Sequence, residues 1–170
     1  MANYNPSTRE RVADINRGIV VATSTLNNTT AMPGNADYDL FNVYGRVRVL
    51  SLDIEAITAW SNDATTLKFT FDPSTPAISE VSISAASTTV AQLGIGRRVR
   101  LDGTALNTGA VIDANAAVSL KASGYLELGC YDGVGAIGVT SAAAAQKSGT
   151  CKATITYVPI TPGAYVEAAV

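Results

Sequence analysis

Few residues in this chain have the type and spacing to do chemistry. Cys130 and Cys151 are its two cysteines, and their separation matches neither a zinc-ligand spacing nor C-x-x-C. Two readings stay open for them: a disulfide, if the strands that bear them pair, or two small buried thiols. Gly94-Ile95-Gly96 is a G-x-G without the rest of a dinucleotide fingerprint and without a βαβ pattern around it, so it reads as a tight turn. Arg97, Arg98 and Arg100 form the one basic cluster, RRVR. A polar strand end or a salt-bridged subunit contact explains it better than phosphate binding. Trp60 is the sole tryptophan. Its face could hold a sugar, but a strand-end core position or an interface anchor is the favoured reading. The carboxylates follow no metal-loop pattern.

Histidine is absent. That removes the commonest general base, the commonest metal ligand and every Ser-His triad. No enzymatic activity, metal or cofactor is therefore expected. Charged residues make up 15% of the chain, against about 25% in ordinary soluble domains. Alanine, serine, threonine and glycine fill the difference, and such a neutral, hydroxyl-rich surface suits a rigid shell component better than a solvated enzyme. The net charge of −2 gives no electrostatic footprint for nucleic acid. The first residues have no apolar signal core and no apolar run is long enough to span a membrane, so a protein made and kept, or assembled, in a cytosol is expected.

The elements that must position these residues divide the chain in two. Residues 1–18 read as an arm. Ser7 and Glu10 make an S-x-x-E capping box, Val12 and Ile15 lie three apart, and a short helix is predicted from Thr8 to Asn16, ended by Gly18. Arg9, Glu10, Arg11, Asp14 and Arg17 make the arm polar. An arm of this kind frays alone and can pack on a neighbour in an assembly.

Residues 19–170 read as one domain in which short alternating strands and turn signals follow one another. A strand is predicted over Ile19–Thr23, then a loop through NNTTAMPGNAD. TLKFTF sets Leu67, Phe69 and Phe71 against Lys68 and Thr70, and DPSTP should end that strand. AISEVSIS, TTVAQL, RRVRL, AAVSL, GYLELGCY and CKATITYVPI follow as strands. SAAAAQK, Ser141 to Lys147, is expected to form a single helical turn in a loop, and GAYVEAAV a tail. The fold class is all-β: an antiparallel β-sandwich of jelly-roll-like kind, with an N-terminal arm containing a short helix.

One run breaks the period. In YDLFNVYGRVRVLSLDIEAIT, read as one long strand, Val47 and Val49 are odd-numbered while Leu50, Leu52, Ile54 and Ala56 are even-numbered. Two causes are open: a β-bulge near Val49 and Leu50, which is favoured, or a strand passing from one packing environment to another.

This run and the C-terminal CKATITYVPITPGAYVEAA resemble a group of tailed-phage virion structural proteins. The matching positions are Leu40, Phe41, Val43, Gly45, Val47, Val49 and Leu50 at the front. At the back they are Ile155, Tyr157, Pro159, Gly163, Val166, Ala168 and Ala169. The resemblance spans residues 38–170, with its two ends recognisable and the arm outside it. It implies a capsid decoration (cement) protein that is assembled in the host cytoplasm and sits on the capsid surface. There it would bind the major capsid protein as a homo-oligomer, a trimer by preference. On that reading Arg9, Arg11, Arg17, Trp60, Arg97 and Arg98 are candidate subunit or capsid contacts. Another virion part (head-fibre base, head–tail connector or tail protein) is the first alternative. A carbohydrate-binding β-sandwich resting on Trp60 and several tyrosines is the second.

Overall fold

The period break is resolved by a single extra residue. In the computed structural model, Val47–Ala56 pairs antiparallel with Lys147–Pro159. Tyr157 lies opposite Val49 and Thr156 opposite Ser51, so Leu50 has no partner of its own. This is the predicted bulge. It puts Val47, Val49, Leu52, Ile54 and Ala56 on one buried face, while Leu50 points to solvent at 48% exposure. The second cause, a change of packing environment from one face to the other, does not operate, because the same face is buried along the whole strand. On its other side the same strand pairs with Leu126–Leu128 through Val47–Val49, and with Arg98–Leu101 through Leu52–Glu55. The neighbour changes at the bulge, where extra twist lets one strand serve two partners.

The structure describes residues 19–32, 36–60, 66–75, 79–87, 94–101, 118–120, 126–129, 133–142 and 147–169. The arm, its predicted helix and the TTVAQL strand lie outside them. In chain order the strands are β1 (Val20–Met32), β2 (Ala36–Tyr44), β3 (Val47–Ala56), β4 (Thr66–Thr75), β5 (Val81–Ser82), β6 (Arg98–Leu101), β7 (Val118–Leu120), β8 (Leu126–Leu128), β9 (Val134–Ala142), β10 (Lys147–Pro159) and β11 (Tyr165–Ala168). They form two antiparallel sheets. Sheet A runs β1-β10-β3-β8-β7, with β6 also on β3; sheet B runs β11-β2-β9-β4-β5. The pairs are nested: β1 with β10, β2 with β9, β3 with β6 and β8, β4 with β5. A long two-stranded ribbon rolled over itself gives this order, which is the jelly-roll arrangement.

The core is the space between the sheets. Phe41, Phe71, Leu40, Leu52, Ile54, Leu128, Ile137 and Ile155 are its largest wholly buried members among the described residues. Each such side chain contributes roughly 1.5–3 kcal/mol of burial. β10 follows the predicted alternation: Cys151, Ala153, Ile155 and Tyr157 face inward, and Lys152, Thr154, Thr156 and Val158 outward. β2 carries a second bulge, at Leu40, between Asp39 opposite Gly138 and Phe41 opposite Ile137. It lets the consecutive residues Leu40 and Phe41 both be buried.

Several local expectations are corrected. The run from Tyr38 is two strands in different sheets, divided at Gly45, whose φ of 71 lies in the left-handed region. There a Cβ would stand 2.8 Å from Thr161 Oγ1, so only glycine lets the chain cross between sheets at this point. β1 continues through Asn27–Met32, where a loop was expected, because β10 offers it a partner as far as Lys147. β4 runs past Asp72 and Pro73. Pro73 is tolerated because β5 pairs only with Thr70 and Phe71, which leaves no ladder bond for Pro73 to miss on that side. AISEVSIS contributes only Val81 and Ser82 as strand. Ser141 and Ala142 end β9 and Lys147 begins β10, so the expected helical turn has strand at both ends. The tail is β11, paired with β2.

Candidate functional site

The two crossings between sheets come together. Gly45 and Arg46 join β2 to β3, and residues 160–164 join β10 to β11. The Ile160 N–H donates to Arg46 O (2.8 Å) and the Arg46 N–H to Thr161 Oγ1 (3.0 Å). The buried Tyr157 hydroxyl accepts from the Val166 N–H at 3.0 Å. β3 pairs with β10 and β2 with β11 on either side of this corner. Both recognisable ends of the sequence therefore meet in one structural unit.

Outward from the corner, the exposed face of sheet A combines ion pairs with apolar side chains. Glu127 on β8 is opposite Arg48 on β3 and is nearly buried. Arg46 Nη2 stands 2.9 Å from its Oε2 and Arg48 Nη2 3.1 Å from its Oε1. Further along, Glu55 lies opposite Arg98 and Asp53 opposite Arg100. Arg98 Nη2 is 2.6 Å from Glu55 Oε2, and its Nη1 is 4.0 Å from Asp53 Oδ1. The charge of Arg98 is thus met inside the chain, while the exposed Arg97 sits in the turn that closes on β3, its carbonyl accepting from the Ala56 N–H.

Among the described residues, the exposed large apolar ones are Ile19, Val21, Leu50, Ile57, Ile95 and Ile160. All belong to strands of sheet A or to segments adjoining them. The outer side of sheet B differs. Asp37, Asp39, Asp72 and Glu80 are exposed around Lys68. Partial burial, and then the neighbouring Asp37, raise the Glu80 carboxyl above its ordinary value. At the β2–β11 end, Tyr44 stacks on Tyr165 with ring centres 4.5 Å apart and donates to Glu167 Oε1 at 2.9 Å. That hydrogen bond raises the Tyr44 hydroxyl's pKa.

The remaining sequence candidates separate. Trp60 is a core residue, 3% exposed, with its ring against Gly149, where a Cβ would lie 2.6 Å from Cδ1. It is neither a surface contact nor a sugar platform. Cys151 is a free, buried thiol on the core face of β10, and burial pushes its pKa up to about 11. Cys130, Arg9, Arg11 and Arg17 lie outside the described residues. Among the described residues no group of acidic, cysteine or histidine side chains could hold a metal ion. Sequence reasoning missed the apolar face of sheet A, whose members come from β1, β3 and the end of β10. Two signals pointed to it: Leu50, left over by the bulge, and Val158, the apolar residue in the otherwise polar row of β10.

No protein-family model matches the chain, and no curated protein matches it. A structure of the infectious bursal disease virus Gx strain aligns with 86% of this chain at 9% identity, with a TM-score of 0.30. The aligned part spans 38% of that viral protein. A similarity at this level carries no argument about the fold or role of this chain.

Proposed function

We propose that the protein is a non-enzymatic structural component of a tailed-phage virion. In this reading it is a decoration protein that binds the outer capsid lattice where major capsid subunits meet and stabilises the head. The observation that carries this reading is the corner between the crossings. The positions that resemble phage virion proteins, from Leu40 to Leu50 and from Ile155 to Ala169, are neighbours across β2–β11 and β3–β10. A resemblance confined to two distant stretches of sequence thus falls on one continuous piece of structure. Jelly rolls recur in capsid and lectin domains, which agrees with the reading without selecting it. The burial of Trp60 takes away the tryptophan from the carbohydrate-binding alternative and leaves it resting on tyrosines alone.

A decoration protein works by repetition: each contact is modest, and many identical copies act together on the shell. A threefold homo-oligomer matches the local symmetry of such a lattice, and closed symmetry is the usual form of homo-oligomers. The test is quantitative mass spectrometry of purified virions with antibody labelling of heads. The expected result is a fixed ratio to the major capsid protein and label over the whole head surface. A small fixed number of copies at one vertex would favour a connector or tail part. Absence from virions would end the virion reading. Light scattering on the purified protein tests the trimer.

A further inference from the structure

We propose that the turn Gly94–Arg97 is a docking knob. Ile95 enters an apolar pocket on the major capsid protein, and Arg97 and Arg100 meet carboxylates at the rim of that pocket. This docking role rests on the virion reading and adds to it the surface that touches the shell and the chemistry it touches.

The turn holds its apex still. The Arg97 N–H donates to Gly94 O at 3.0 Å, and Gly96, with a φ of 76, occupies the third position, which is the type II pattern. Two further backbone bonds fix the turn to the end of β3. The Gly96 N–H donates to Ala56 O (2.8 Å) and the Ala56 N–H to Arg97 O (3.0 Å). A Cβ on Gly96 would meet nothing within 4 Å, so glycine is there for its backbone angle and the space beside the apex is open. Ile95 is the apex. At 73% exposure it is the most exposed large apolar residue among the described ones. The turn does not ask for isoleucine, since its second position needs only an ordinary negative φ that a polar residue meets as well. Ile57, 44% exposed, follows Ala56 directly and stands at the same rim of sheet A, its N–H donating to Thr150 O at 2.8 Å.

The cations around the knob differ in how they are met. Arg98 is held by Glu55. Arg97 and Arg100 are exposed, and among the described residues their guanidinium groups have no ion-pair or hydrogen-bond partner, although Asp53 lies opposite Arg100 in register. Two unmet guanidinium groups beside an apolar apex fit a pocket rimmed by carboxylates. A second copy presenting the same turn would set arginine against arginine, which disfavours a twofold contact here. A pinned apex loses little freedom on docking, and a desolvated anchor with a polar surround is how binding energy concentrates in an interface.

The test adds the purified full-length chain to heads purified from a phage that lacks the gene, and measures occupancy. The parent chain should bind in a fixed ratio to the major capsid protein. I95S should bind at least about tenfold more weakly. R97E/R100E should bind about threefold to tenfold more weakly at low salt, and the gap should narrow in high salt. K68E, on sheet B, should bind as the parent does. I95S and R97E/R100E should keep the parent's denaturant midpoint, because the replaced side chains are exposed. Failure of the parent chain to bind heads would overturn the virion reading and the knob with it. Binding of I95S at parental affinity would overturn the knob alone; with R97E/R100E still weakened, it would assign the arginines to an anionic partner without a pocket. Equal weakening by K68E would overturn it by removing the turn's special place. A fall in solution mass of I95S, read by light scattering, would overturn it by assigning the turn to a contact between copies.

Discussion

Sheet A turns Val21, Leu50 and Val158 outward beside arginines already paired with Glu127 and Glu55, whereas sheet B turns out Asp37, Asp39, Asp72 and Glu80 around the single Lys68. The backbone geometry is the same on both faces and both cover one core. Internal pairing of charges lowers the cost of covering a surface, because no lone ion has to give up water. A face of like charges resists being covered and keeps a sheet solvated and separate. One layer of this sandwich is therefore prepared for contact and the other for water.

Four measurements sharpen or break that contrast. The largest effect belongs to the inner side of sheet A. Leu52→Ala should lower unfolding free energy by about 3 kcal/mol, while Leu50→Ser, two positions along the same strand, should cost under about 1 kcal/mol in denaturant titrations. Similar losses would mean that Leu50 is a core residue and that the outer patch is misassigned. Next is Cys151, also on the inner side. Its thiol stays neutral in the folded state to about 11, from an ordinary value of 9.0. The unfolded chain releases this proton first, so stability is complete below pH 9.0 and falls by about 2–3 kcal/mol as pH rises to about 11. Cys151→Ala should remove that slope from stability measured against pH.

Third, Glu127→Ala leaves two half-exposed arginines facing each other and should cost about 2 kcal/mol, whereas Glu167→Ala on sheet B should cost less than about 0.5 kcal/mol. Equal costs would remove the distinction between a nearly buried carboxylate with two ion pairs and an exposed one with a single hydrogen bond from Tyr44. The smallest effect is at Glu80. Its carboxyl is raised, so ionisation is harder in the folded state and stability declines as pH rises above 4.5. Glu80→Gln should raise the melting temperature slightly at neutral pH, by less than about 0.5 kcal/mol in free energy, and less in high salt. No gain at low salt would mean that the acids of sheet B do not repel one another appreciably.

The sequence was most readable where the period of two stood alone. β10 and the core face of β4 are as expected, and the bulge was placed because alternation broke with no turn residue nearby. It was least readable where composition and tertiary pairing disagree. Asn27 to Met32 has the residues of a loop and becomes strand because β10 lies alongside. Pro73 has the chemistry of a stop and stays in β4 because its outer edge is unpaired. Gly45 looked tolerable within a strand, yet it is where the chain leaves one sheet for the other. For the site, Arg98 read as a polar strand end or a salt-bridged subunit contact, and its partners within the chain were hidden because Glu55 and Asp53 approach it only through the β3–β6 register. Trp60 read as either a strand-end core position or an interface anchor, because nothing local indicates that Gly149 will sit under its ring.

The nested strand pairs set an order of assembly. β4 and β5 are close in sequence and can meet early, whereas Val20 finds Tyr157 only across nearly the whole domain. Closing long loops is slow, so the roll should zip from its innermost pair outward, and pulse-labelled hydrogen exchange should find β4 protected before β1. Simultaneous protection of both would contradict this order. On the ribosome, β1 is made first and paired last. It waits as a free strand edge until β10 has been translated.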